Sequence, residues 1–171
     1  MNAAAATTTA PPTAEAPSNT ASYLEQGCPL TLRQGLEQFI ASNPALIMAD
    51  ERTEVGRLTK AHDCCHVLFG LTTEIGDEAL ADTWTLVGSD VTLRQYAAFL
   101  QHDEYKQLVA DVTTWPALVA MVKALPRVVQ AIVRGRRMRP KWPFFAYADH
   151  LDTPLVELRR RYNVELVPRP R

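Results

Sequence analysis

The chain has 171 residues, of which 47% are hydrophobic, so it is long enough to form one domain with its own core. Its net charge is only −1, and its three cysteines, two of them adjacent, exclude a disulfide framework and fit a reducing cytosol. The first residues contain neither a basic start with an apolar stretch nor the arginines of a transit peptide. We therefore expect a protein that is neither secreted nor imported.

The N-terminal segment 1–26 differs in composition from the rest of the chain. It consists mainly of Ala, Thr, Pro and Ser with almost no large apolar side chains, which predicts a disordered tail. The remainder, 27–171, contains no alternating strand pattern of useful length and no internal repeat. The predicted fold class is therefore all-α: a single helical domain behind a disordered N-terminal tail.

The apolar spacing of the remainder predicts seven helices, several of which begin or end at capping residues or prolines. Their predicted ranges are 31–42, 54–71, 74–86, 90–101, 103–112, 115–136 and 154–162. Asn43-Pro44 ends the first helix, and Asp90 and Asp103 are the predicted caps of the fourth and fifth. Pro126 is expected to kink the sixth.

The most informative motif lies in the second predicted helix. His62 and His66 are one helical turn apart, and Asp63 lies on the flank of that pair beside an apolar stripe. Imidazoles with carboxylates are ligands of zinc and of its transition-metal neighbours. The alternative is a hydrogen-bonded pair of surface histidines next to ordinary solvated charges, and the pair alone leaves both interpretations open.

A predicted bend after this helix favours the metal interpretation. The segment 72–78 reads as a turn, with Thr72 or Thr73 as the N-cap of the next helix. A chain that reverses there would return the carboxylate of Glu78 toward the histidines.

The motif resembles the signature of the coenzyme Q (ubiquinone) biosynthesis protein Coq-four family, which is His-Asp-x-x-His, then eleven residues, then Glu. His62, Asp63, His66 and Glu78 stand at these positions. The resemblance implies that these four residues hold a divalent metal, expected to be zinc. Because four protein ligands leave zinc no open position, one or more of them can belong to the outer shell.

The likeness extends beyond the motif, over roughly 31–167. Val55-Gly56-Arg57 precedes the motif as in the family, and 153–159 resembles the family's C-terminal Pro-Leu-x-x-Leu-Arg element. Cys64-Cys65 departs from the family, which has bulky apolar or aromatic residues there. Helical directions place both thiols away from the polar side, so we predict buried thiols rather than ligands.

The resemblance implies a role in ubiquinone biosynthesis at a membrane surface. The implied reaction is a metal-dependent oxidative decarboxylation, with hydroxylation at C1, of a polyprenyl hydroxybenzoate ring, which makes the enzyme a lyase. The resemblance equally allows a noncatalytic lipid-binding scaffold that organises the other ubiquinone biosynthesis enzymes. No catalytic base is named by the sequence, and Glu74 and His102 are candidates only.

Two other enzyme classes fit the motif less well. A phosphohydrolase of the His-Asp superfamily needs a metal-binding histidine upstream of its His-Asp pair, yet His62 is the first histidine of the chain. A zinc protease would carry Glu as its base directly after the first histidine, where this chain has Asp63.

Charge is divided unevenly along the chain. Residues 1–115 carry 6 basic and 15 acidic side chains, whereas residues 116–171 carry 12 basic and 4 acidic ones. The sixth predicted helix, within the basic half, has a broad apolar face formed by Leu118, Met121, Val122, Leu125, Val128, Val129, Ile132 and Val133. It leads into the predicted lipid- or membrane-binding residues, which are Arg134, Arg136, Arg137, Arg139, Lys141 and Trp142.

Two interpretations of this basic half stay open. Lys123, Pro126, Arg127 and Gln130 interrupt the apolar stretch, so we predict that it does not span a bilayer. It is either a peripheral element on an anionic membrane or a core helix followed by a solvated basic loop. The first interpretation predicts a cytoplasmic protein on the inner face of a bacterial membrane.

The expected partners follow from the membrane interpretation and the resemblance. They are that membrane surface, a polyprenylated aromatic lipid and the other ubiquinone biosynthesis enzymes, with a homodimer as a further option. No nucleic-acid partner is expected, because no recognised nucleic-acid-binding module accompanies the arginines.

Overall fold

The structure, a computed structural model of the chain, describes residues 22–44, 46, 50–100 and 114–169. These residues form six α-helices, two short 3-10 helices and no β-strand, so the fold class is all-α as predicted. The α-helices are α1 (Leu32–Ser42), α2 (Glu54–Phe69), α3 (Ile75–Gly88), α4 (Leu93–Leu100), α5 (Trp115–Arg137) and α6 (Leu155–Arg161), and the 3-10 helices are Ser22–Leu24 and Phe144–His150. The predicted helix 103–112, its cap Asp103 and His102 lie outside the described residues.

Threonine side chains decide where several helices begin. Thr31 and Gln34 close a reciprocal capping box at the start of α1, with bonds of 3.2 Å and 3.0 Å. Thr53 and Thr114 accept backbone N–H groups at the starts of α2 and α5. Gly70 ends α2 with a φ of 65°, a left-handed conformation that favours glycine.

Two predicted caps are wrong. The N-cap of α3 is Glu74, without a side-chain capping bond, rather than Thr72 or Thr73. The first turn of α4 is capped by Thr92, whose hydroxyl accepts from the Gln95 N–H. The carboxylate of Asp90 instead accepts from the Phe144 N–H, so it ties the start of this region to the later 3-10 helix.

Helix α2 lies at the centre of the core. It contacts α1, α3, α6 and both 3-10 helices, and its buried side chains face several of them at once. The Phe69 and Trp84 rings stack at 4.5 Å between α2 and α3. Cys64 and Cys65 are buried free thiols in this core, as predicted. Residues on α2 therefore rest on a support that is packed on most sides.

Arg159 of α6 joins the two ends of the described chain. Its guanidinium is 1% exposed and donates to carbonyls at the end of α2, including those of Val67 and Leu68, and to the Tyr23 and Glu25 carbonyls. Burial lowers its pKa to about 10. Tyr23 itself is 1% exposed, so the boundary predicted at residue 26 lies too far along the chain.

Helices α3 and α5 lie side by side and form the most extensive pairing of the described elements. The side of α5 that is buried consists of small residues, namely Ala117, Ala124, Ala131 and Gly135. A Cβ atom at Gly135 would lie 2.5 Å from Val87 Cγ2, and one at Gly76 would lie 3.5 Å from Ala124 Cβ. The two helices thus run parallel at close approach.

The opposite side of α5 carries an exposed apolar face. Six large side chains there are between 41% and 58% exposed: Leu118, Met121, Val122, Leu125, Val129 and Val133. Trp115, at the start of the same helix, is 75% exposed. The core-helix interpretation is therefore wrong for this face, although the partly buried Val128 does pack against the core.

By length and composition, α5 is the helix among the described residues that is apolar enough to cross a membrane. The prediction that its polar interruptions rule this out is thus not supported on those grounds. What the structure adds is that α5 is packed along α3 on one side and open on the other.

The basic end of α5 only partly matches the predicted membrane-binding set. Trp142 is 0% exposed, because its backbone pairs with Gly88 and Asp90 and its ring contacts His150, so its predicted role at a membrane surface is wrong. Lys141 donates to the Val87 and Gly135 carbonyls at the ends of α3 and α5.

The arginines of this end divide into two groups. Arg134 forms an ion pair of 3.2 Å with Glu165 and its side chain is 19% exposed. Arg136, Arg137 and Arg139 are exposed, and the Arg139 side chain also caps the end of α5 by donating to the Arg136 carbonyl. Arg136 and Arg137 are the members of the set best placed to meet a charged surface.

Candidate metal centre

Three polar side chains converge between α2 and α3. His62 and His66 lie on successive turns of α2, and Glu78 lies in the first turn of α3. The chain reverses between them through Gly70, and the Leu71 N–H returns to the His66 carbonyl at 2.9 Å. The predicted return of Glu78 toward the histidines is therefore confirmed.

The ligand atoms of these three residues form a nearly equilateral triangle. The Nε2 atoms of His62 and His66 are 3.1 Å apart, and Glu78 Oε2 lies 3.5 Å from the first and 3.4 Å from the second. Ligands of a tetrahedral zinc ion, at about 2.0–2.1 Å from the metal, are about 3.3 Å from one another. The triangle thus matches one face of such a coordination shell, and the residues present fit a metal.

Burial differs among the three residues. His62 and His66 are 8% and 1% exposed, and the ring of Phe39 stacks on His66 at 5.1 Å. The side chain of Glu78 is 36% exposed. Packing therefore holds the imidazoles, while the carboxylate forms the side of the site that faces solvent and through which a fourth ligand can enter.

The outer nitrogen of each imidazole has no partner. The Nδ1 atoms of both His62 and His66 are buried and make no hydrogen bond to any described residue. Metal-binding histidines commonly donate this second N–H to a carbonyl or a carboxylate. In this chain the Nε2 atoms face the shared site, and ring packing takes over the orienting role.

The charges in the site complement one another. Burial would raise the pKa of Glu78, yet hydrogen bonds from His62 and His66 outweigh it and hold that pKa well below its usual range. Burial would also lower the pKa of His62, but Glu78, Asp82 and Asp63 together raise it. The site is therefore a pocket of negative potential that favours a cation, whether protons on the imidazoles or a metal ion.

Asp63, the fourth predicted ligand, is not brought into the triangle. The group whose ligand atoms all lie within 4.8 Å of one another consists of His62, His66 and Glu78. Burial raises the pKa of Asp63 to about 6, against the lowering effect of the two imidazoles. A direct bond from Asp63 to a metal stays a prediction, and its place beside the site suits an outer carboxylate.

Asp82 is a second neighbouring carboxylate, which our sequence reasoning missed. It follows Glu78 by one turn of α3, it raises the pKa of His62, and it accepts a hydrogen bond from the Tyr96 hydroxyl of α4. The i, i+4 spacing from Glu78 is the signal that would have found it. Of the two candidate bases, Glu74 is exposed and His102 lies outside the described residues.

Comparison of the chain with family models, with curated proteins and with solved structures finds no match. The resemblance to the ubiquinone biosynthesis family therefore stays a prediction from the sequence motif, beside the metal geometry that the structure shows.

Proposed function

We propose that the chain binds a divalent metal, zinc in the first instance, through His62, His66 and Glu78. The observation that carries this proposal is the near-equilateral triangle of Nε2, Nε2 and Oε2 atoms, with sides of 3.1–3.5 Å. Three protein ligands with an open fourth position are typical of catalytic rather than structural zinc sites, which favour cysteine and a closed shell.

We further propose that the site serves ubiquinone biosynthesis, by oxidative decarboxylation and C1 hydroxylation of a polyprenyl hydroxybenzoate ring. A bound metal would supply Lewis acidity toward a ring carboxylate or phenolate oxygen. His62 and His66 hold their Nε2 atoms toward the site because the core packs their rings. Glu78 completes the anionic side, and Asp63 and Asp82 surround it with further negative charge.

A membrane location supports this choice of substrate. A polyprenyl tail stays in a bilayer, so an enzyme for its ring needs an apolar surface near the site. The exposed face of α5 supplies one, and α5 packs directly on α3, which carries Glu78. Exposed Trp115 replaces buried Trp142 as the aromatic residue of that surface, and Arg136 and Arg137 suit anionic headgroups on the cytoplasmic face.

The second candidate is a noncatalytic scaffold that binds the lipid and organises the other ubiquinone biosynthesis enzymes. The observation that favours it is the same row of six exposed apolar side chains on α5, because faces of this kind commonly bind protein partners or a second copy of the chain. In this case the metal would be structural and would contribute to folding.

One experiment separates the two candidates. Metal-loaded wild type and Glu78→Gln are incubated with a polyprenyl hydroxybenzoate, oxygen and the partner enzymes, and mass spectrometry follows the loss of CO₂. The catalytic proposal expects turnover by the wild type and none by Glu78→Gln, with lipid binding nearly intact, because Gln keeps the shape but removes the charge. A folded, lipid-binding wild type without turnover, or a variant that loses stability and lipid binding together, favours the scaffold.

A further inference from the structure

A buried ion pair joins the apolar helix to the turn that carries the proposed metal ligand. Arg127 of α5 donates from Nη1 to Asp77 Oδ1 at 2.7 Å. Asp77 is 2% exposed, and the Arg127 side chain is 13% exposed. Asp77 directly precedes Glu78 in the first turn of α3. The pair is thus one residue away from the metal triangle, on the other side of the helix.

Both carboxylate oxygens of Asp77 are engaged. While Oδ1 accepts from Arg127, Oδ2 accepts from the Thr72 N–H and the Thr72 hydroxyl, each at 2.9 Å. The Arg127 Nε group in turn donates to the Pro168 carbonyl at 3.2 Å. Asp77 therefore ties together the loop after α2, the start of α3 and the middle of α5.

Stability alone does not account well for this arrangement. A buried ion pair contributes little net stability, because the cost of removing two charges from water offsets their attraction. In addition, the Arg127 Nη2 group is buried without a partner among the described residues, which is a further cost. A pair that is retained at such a cost suggests a need for a defined geometry.

The geometry that the pair controls is the rotation of the first turn of α3. Consecutive residues of a helix point about 100° apart, so Asp77 faces α5 and the loop while Glu78 faces α2. A rotation or slide of this turn would carry Glu78 Oε2 away from its 3.4 Å and 3.5 Å distances to the imidazoles. The three bonds to Asp77 oppose that movement.

We propose that Arg127 is a positioning residue of the metal site: through Asp77 it sets the first turn of α3 and so places Glu78 against His62 and His66. This inference rests on the proposed metal site. It makes α5 part of the metal centre's support as well as an apolar surface, and it assigns its buried arginine a role distinct from that of the exposed ones.

The test compares Arg127→Gln with Lys123→Gln, which removes an exposed cation one turn earlier on the same helix. Zinc dissociation constants come from competition with a chelator, and the visible spectrum of bound Co²⁺ reports the coordination of the metal. Thermal unfolding of the metal-free proteins shows whether each variant is folded. We expect Arg127→Gln to bind zinc about tenfold or more weakly, with an altered Co²⁺ spectrum, and Lys123→Gln to match the wild type.

Arg127→Gln that is folded and binds zinc with the affinity and Co²⁺ spectrum of the wild type would overturn the inference, even if its melting temperature is lower. If Arg127→Gln does not fold, the same two measurements on Asp77→Asn decide in the same way. Failure of the proposed function is a different result, since in that case the wild type itself binds no metal.

Discussion

The two sides of α3 show opposite departures from an ordinary protein interior. Toward α2, ionisable side chains are buried, with His66 only 1% exposed. Toward solvent, beyond α5, large apolar side chains such as Val122 and Val129 are 58% exposed. Buried polar groups and exposed apolar patches are the informative exceptions to the usual distribution, and each is better explained by binding than by stability.

The comparison also shows how each region is supported. The histidines rest on a helix that is packed on most sides, whereas the apolar face lies on a helix packed on one side through alanines and a glycine. The first region therefore suits a ligand that needs fixed distances, such as a metal. The second suits a deformable partner such as a lipid surface.

The largest effect that sharpens this contrast is expected on the packed side of α5. Gly135→Leu places a side chain where even a Cβ would be 2.5 Å from Val87 Cγ2, so we expect a loss of about 3 kcal/mol of unfolding free energy. Chemical denaturation measures it, and Gln130→Leu, which adds the same side chain at an exposed position, is the control. Equal stabilities of the two variants would mean that α5 does not pack on α3 as described.

A smaller effect is expected from the exposed arginines. Arg136→Glu combined with Arg137→Glu should weaken binding to vesicles of anionic lipid by about 30-fold or more, since each basic residue near such a surface contributes about 1 kcal/mol. Sedimentation with vesicles measures this, and added salt should weaken the wild type in parallel. Binding that ignores both salt and the charge reversal would remove the membrane from the proposal.

The smallest effect on stability is expected on the apolar face itself. Leu125→Gln and Val129→Gln should each change the unfolding free energy by no more than about 0.5 kcal/mol, because these side chains are 55% and 58% exposed. The same variants should bind vesicles less well than the wild type. A loss of 2 kcal/mol or more on the scale of a core truncation would instead show that the face is covered within the chain.

Local patterns predicted much of the fold. The periodicity of 54–71 and the caps Thr31 and Thr53 are local signals, and the structure has helices at the predicted places. Contacts between distant residues were not predictable in this way. Asp90 was expected to cap a helix, but the Phe144 N–H, 54 residues away, uses its carboxylate instead.

The candidate site divides along the same line. The pairing of His62 with His66 follows from helix geometry alone, and the turn after α2 made the approach of Glu78 predictable. Burial of Trp142 was not, because it depends on backbone pairing with Gly88, far away in sequence. The ion pair of Asp77 with Arg127 was missed for the same reason, since both residues read as ordinary charges on separate helices.

The central claim is that His62, His66 and Glu78 form a metal site, and metal content tests it most directly. Elemental analysis of protein purified without chelators should find about one divalent metal ion per wild-type chain and almost none in His66→Ala. His150→Ala, which removes a histidine that lies against Trp142 and Tyr162, should keep its metal. A wild type without metal, or a His66→Ala variant with the metal content of the wild type, would contradict the account.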